Sequence, residues 1–149
     1  MSVKRMDNVL VVVEDLEGAK AFFTELGLEF EGELTVEGPW VDKTIGLENA
    51  RVTNAMMRTP DGHGRIELSK FHRPDPIEAE PSPRPTNTLG IGRIMFAVED
   101  LDDTVARLKL RGGEVLDDIV QYEDQYRLCF MRGPEGILIG LAEELQPAA

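Results

Sequence analysis

The sequence predicts a mixed α+β fold made of two βαβββ modules, and three observations carry that prediction. A strand-like stretch is written twice: Asn8-Val9-Leu10-Val11-Val12-Val13-Glu14-Asp15-Leu16 returns as Arg93-Ile94-Met95-Phe96-Ala97-Val98-Glu99-Asp100-Leu101, with Val13 and Val98 in register 85 residues apart. Pro60-Asp61-Gly62 likewise returns as Pro134-Glu135-Gly136, each ahead of a final apolar strand. Between the two copies, His72 to Thr88 holds five of the nine prolines and little periodicity, the composition of an extended linker. Residues 1–71 are thus a first module, 72–88 a linker, 89–145 a second module and 146–149 a tail. Each half, at about 70 residues, is small alone, so the two are expected to form one structural domain.

The elements follow in order. Asn8 to Val13 is mostly β-branched and too short for a helix, so it reads as a buried strand. Asp15 is placed to cap a helix carrying Leu16, Ala19, Phe22, Phe23 and Leu26 at helical spacing, with Gly27 as its stop. Leu28 to Val36 alternates as a half-exposed strand does, and Gly38-Pro39 breaks it. Trp40 to Ala50 is mixed and reads as a short strand and turn. Arg51 to Arg58 and Arg65 to Phe71 are strands flanking the Pro60-Asp61-Gly62 turn. In the second half, a helix of about a dozen residues starts at Asp100 and ends at Gly112-Gly113. Strands follow near Glu114 to Tyr122, Tyr126 to Met131 and Ile137 to Leu141.

Composition narrows the function classes. The net charge of -12 argues against a nucleic-acid surface and an anionic membrane. The lone Cys129 excludes an internal disulfide and a Cys-cluster metal site, and its apolar neighbours make it a small buried hydrophobe. With no signal-peptide core and no run approaching a membrane span, a cytoplasmic location is the default expectation. His63 and His72 read as exposed loop histidines. No Ser-His-Asp set or phosphate-cradling loop is visible, and a turn explains Gly62-His63-Gly64.

Alternation across a strand sorts residues onto two faces. Val9, Val11 and Val13 share one face with Ile94, Phe96 and Val98 of the second copy, and Ile66, Leu68, Ile139 and Leu141 join it. That face is apolar throughout, as packing under a helix requires. The opposite face carries Asn8, Glu67, Arg93 and Gly140, and polar groups within a sheet need a partner or a ligand. It is therefore the expected lining of a cavity.

At these residues the chain resembles the vicinal oxygen chelate superfamily, which includes glyoxalase I, bleomycin resistance proteins and extradiol dioxygenases. The resemblance rests on the two modules, the two Val-Glu-Asp-Leu strand ends, the Gly-Leu or Gly-Gly after each helix and the two Pro-Asp/Glu-Gly turns, and it spans about Arg5 to Leu145. It implies a cup-shaped mixed sheet around a small-molecule site, and a homodimer. Metal-dependent members carry His on the first strand of each module and Glu, Gln or His on the last. Those positions fall here on Asn8, Glu67, Arg93 and Gly140. Glu67 alone is a competent ligand, and the permanent guanidinium of Arg93 would be repelled by a divalent cation. The metal site is accordingly expected to be lost, with no cofactor; a divalent metal is the alternative. Arg93 is expected to enter the space left by Gly140 and to face Glu67, either within one chain or across the dimer.

The leading expectation is a binding protein that holds or sequesters a small organic ligand, with Trp40, Met56, Tyr122, Tyr126 and Phe130 as apolar walls and Asn8, Glu67 and Arg93 as polar anchors. An enzyme of the same superfamily is the alternative, a lyase, isomerase or dioxygenase that is metal-dependent or uses Arg93 and Glu67 as catalytic groups. A scaffold protein with an occluded cup is a further class, since fold alone does not fix function.

Overall fold

A computed structural model describes residues 2–145, so the tail expected at 146–149 lies outside the described residues. The chain falls into two units that part between Ile77 and Glu78, inside the proline-rich segment.

The first unit runs β1 (Val9–Val12), α1 (Leu16–Leu26), β2 (Glu29–Glu37), α2 (Pro39–Ile45), β3 (Arg51–Arg58) and β4 (Arg65–Arg73). Its four-stranded sheet has the order β1-β4-β3-β2, with β1 parallel to β4 and the other pairs antiparallel. Asp15 caps α1 by accepting a hydrogen bond from the Gly18 amide at 2.9 Å. The helix then buries Leu16, Ala19, Phe22 and Phe23 over β3 and β4, whose Ala55, Met57, Ile66 and Leu68 are buried in turn. Each fully buried Phe of this kind stabilises by about 1.5–3 kcal/mol relative to exposure.

The second unit runs β5 (Ile94–Ala97), α3 (Leu101–Lys109), β6 (Glu114–Val115), β7 (Val120–Tyr122), β8 (Tyr126–Arg132) and β9 (Leu138–Glu144), with a one-turn 3-10 helix at Pro134–Gly136. Its sheet order, β5-β9-β8-β6, copies the first, and β7 joins the same edge of β8 as β6. Asp100 repeats the cap of Asp15, accepting from the Asp103 amide at 3.1 Å. Glu143 is a second acceptor at this helix N-terminus, taking the hydrogen bond of the Leu101 amide at 2.6 Å. Leu101, Val105 and Leu108 are buried with Met131, Ile139 and Leu141. Cys129 is buried as expected, and desolvation pushes its thiol pKa up. Among the described residues no helix is long and apolar enough to cross a membrane.

Four local expectations are corrected. The stretch after Gly38 is a helix rather than a strand and turn: Pro39 sits in its first turn, where its missing N–H costs nothing, and Gly46 ends it in a left-handed conformation. The alternation of β2 breaks at a bulge on Glu31, because Phe30 pairs Met57 while Gly32 pairs Met56. That extra residue turns Phe30 toward α1, where Lys20 Nζ lies 5.0 Å from its ring, and leaves Leu34 and Val36 on the other face. The strand foreseen over 114–122 is interrupted between Val115 and Val120. Finally, His72 belongs to β4, not to the linker, and its Nε2 is 2.7 Å from the Thr53 hydroxyl.

Candidate functional site

On the face of the first sheet turned away from α1, three rows fixed by the strand register line the cavity, next to a charged row of Arg65, Arg58 and Glu29. Leu10, Glu67, Met56 and Gly32 lie side by side across the four strands. Val12, Ser69, Asn54 and Leu34 form the next row, and Phe71, Val52 and Val36 the third. Over the third row sits α2, which buries Val41 against Ala50 and Val52, with Val36 and Phe71 packed around them. The Asp42 carboxylate anchors the chain leaving α2 by accepting from the Asn49 and Ala50 amides at 3.0 and 2.9 Å. A wall thus rises from one end of an open sheet face. The result is a cavity of about 720 Å³.

Its polar groups are few and individually placed. Ser69, almost wholly buried, donates its hydroxyl to Asn54 Oδ1, so neither is left unsatisfied. Glu31 at the rim is held by Arg65 at 2.9 Å, with Arg58 at 3.8 Å. Glu33 is held by Lys20 at 2.8 Å, and that carboxylate, together with Glu17, raises the Lys20 pKa. Glu67 differs. It stands in the floor, half-buried, and among the described residues of its own module no hydrogen bond or ion pair reaches its carboxylate. Among the described residues, no Lys, Arg or His lines the cavity.

The second module presents a comparable face with a different surface. Met95 pairs Gly140, and Phe130 pairs Gly140 from the other side. The space expected beside Gly140 does not open, because Met95 fills it: a Cβ built on Gly140 would lie 1.9 Å from the Met95 sulfur. Arg93, just ahead of β5, lays its guanidinium over the Phe130 ring instead, 4.5 Å from the centroid. That is the geometry of a cation–π contact, worth about 0.5–1 kcal/mol where solvent reaches it. Tyr122 and Tyr126 pair directly and are both exposed on the same face.

The structure therefore brings Glu67, Trp40 and Met56 together on one cavity and sets Arg93, Tyr122, Tyr126, Phe130 and Gly140 in the other module. Asn8 immediately precedes β1 and does not line the cavity. Sequence reasoning missed Leu10, Val12, Leu34, Asn54, Ser69 and Phe71 as lining residues. The signal was available for Leu10, Val12, Ser69 and Phe71, since each lies an even number of positions from Asn8 or Glu67 on its own strand. Leu34 was obscured by the bulge, and Asn54 needed the β3–β4 register.

The donor set at the four positions implied by the resemblance is poor for a divalent metal: an amide, one carboxylate, a guanidinium and a glycine. Among the described residues, no group of three His, Cys, Asp or Glu side chains comes together as a metal site would require.

Residues 5–141 match the family model described as Glyoxalase/Bleomycin resistance protein/Dioxygenase superfamily. A solved glyoxalase family protein from Bacillus cereus is 53% identical, with 98% of this chain and 97% of that one aligned at a TM-score of 0.92. A glyoxalase family protein from Enterococcus faecalis, 19% identical, aligns over 96% of this chain and all (100%) of its own at 0.62. A glyoxalase I mutant from Zea mays, 20% identical, aligns over 95% of this chain but 48% of its own length at 0.67, a likeness of fold. No match was found among curated proteins.

Proposed function

The chain belongs to the glyoxalase/bleomycin resistance protein/dioxygenase superfamily, and from that membership we propose that it binds a small, largely apolar organic molecule in the cavity of its first module, without a metal. The observation that carries this reading is the cavity itself. At about 720 Å³ it falls within the range of about 300–1,000 Å³ typical of small-molecule sites. Its floor is apolar apart from a few fixed polar groups, the pattern in which hydrophobic contact supplies affinity and single polar groups set orientation. Exposed Leu10, Val12, Leu34 and Trp40 on one concave face are apolar area that a ligand would remove from water. Each 100 Å² so covered is worth about 2.5 kcal/mol before the costs of association.

Trp40 is the only tryptophan in the chain and lines the cavity, so its fluorescence reports on this site. Titration with 4-phenylbutanol, a neutral probe with an apolar body, is expected to change that emission saturably. Leu34→Glu, at an exposed position on the wall, is expected to weaken the response without unfolding the protein. An emission that drifts linearly with probe, identically in both proteins, would contradict the reading.

A further inference from the structure

The charges around the cavity are not balanced, and the imbalance is local. Among the described residues three carboxylates line it, and no basic side chain does. Two of the three are already answered within the module: Glu31 by Arg65 and Arg58, Glu33 by Lys20. Glu67 is not. It stands half-buried between the apolar Leu10 and Met56 on the neighbouring strands. A carboxylate in such a place has lost part of its hydration, and an arriving cation meets less competition from water than it would at the surface. Asn54 on β3 has its carbonyl oxygen engaged by Ser69 and carries no charge, and the two arginines of the adjacent row, Arg58 and Arg65, are paired with Glu29 and Glu31.

From this arrangement we infer that the ligand is an organic cation: an amine with an apolar or aromatic body, its ammonium donating to Glu67 and its body lying on the floor beside Trp40 and Phe71. This rests on the reading of the cavity as a ligand site. An anionic ligand of the same shape is disfavoured, because it would set its charge against an unanswered carboxylate. The general attraction of a chain with net charge -12 for any cation is a separate, long-range effect that salt screens. A contact with Glu67 is local, and persists at moderate salt.

The test is calorimetric titration of the whole protein with 4-phenylbutylamine, 4-phenylbutanol and 4-phenylbutyrate at neutral pH and physiological salt. The three share one body and differ in head-group charge. The amine is expected to bind about tenfold more tightly than the alcohol, the gain of one charge-assisted hydrogen bond, and the acid most weakly. In Glu67→Gln, which keeps the shape and changes the net charge by a single unit, the amine's advantage is expected to shrink to about twofold or less while the alcohol binds as before. Equal binding of amine and alcohol would overturn the inference and leave the cavity reading standing. So would an amine preference that survives in Glu67→Gln, since it would then arise from overall charge. Failure of all three probes to bind would overturn both.

Discussion

At Gly140 the lack of a side chain is matched by a neighbour that uses the room, Met95. The two residues behave as one packing unit, so their substitutions should not add. Gly140→Ala places a methyl where the Met95 sulfur lies and is expected to cost about 1 kcal/mol, at the low end of overpacking because a half-exposed Met side chain gives way. In a Met95→Ala background the same change is expected to cost nothing measurable. Denaturant titration of the four proteins measures the coupling, and strictly additive effects would contradict the packing described here. The sequence made Gly140 and Arg93 conspicuous because they depart from a metal-ligand pattern. It did not show that Met95 fills the gap or that Arg93 stacks on Phe130. Those outcomes depend on side-chain conformation, and periodicity carries no information about that.

Among elements, the duplicated Val-Glu-Asp-Leu stretch was the most legible feature, because it encodes a complete device: an apolar residue at the strand end, an Asp placed to cap the next helix, and the Leu that opens that helix. Asp15→Ala and Asp100→Ala are each expected to lower stability by about 1 kcal/mol, and Asp→Asn at either position by much less, since Asn retains the accepting oxygen. Equal losses for Ala and Asn, in denaturant melts, would show that the cap is not what the Asp supplies. The helix α2 was illegible for a physical reason. It has seven residues, too few for a periodic pattern, and its stability comes from Val41 packing on Val52, Val36 and Phe71. The bulge at Glu31 was hidden because a single inserted residue shifts the alternation while leaving the composition of the strand unchanged. Both misreadings fall on the cavity wall. That is why the core face of the module was read correctly while half of the site was not.

For the whole molecule, acid behaviour and assembly are both open to measurement. Arg127 holds the Asp102 carboxyl below its ordinary 3.8 through hydrogen bonds of 2.7 and 3.0 Å. The Thr59 hydroxyl and the His63 amide do the same for Asp61. A depressed folded-state pKa gives stability that is complete above the ordinary value and lost as pH falls through the depressed one. Stability should therefore decline as pH drops from about 5 toward 3, and Asp102→Asn should make that decline shallower. A steeper decline in the variant would reverse the assignment. We further propose that the protein is a homodimer, because each sheet ends on a short apolar strand, β1 or β5, whose outer edge lacks a partner within its own sheet. Sedimentation at twice the 16.6 kDa chain mass is the expected result at micromolar concentration, and a monomer contradicts it.

The central claim, that this cavity holds an organic ligand with no metal in attendance, meets its most direct test in thermal melts with divalent cations. A ligand that binds only the native state raises stability by RT ln(1 + [L]/Kd), so any competent metal must shift the transition. With nickel, zinc, manganese or ferrous iron added to chelator-treated protein, the melting curves are predicted to superimpose on the metal-free curve. A saturable rise in Tm with one of these ions, abolished by Glu67→Ala, would contradict the account.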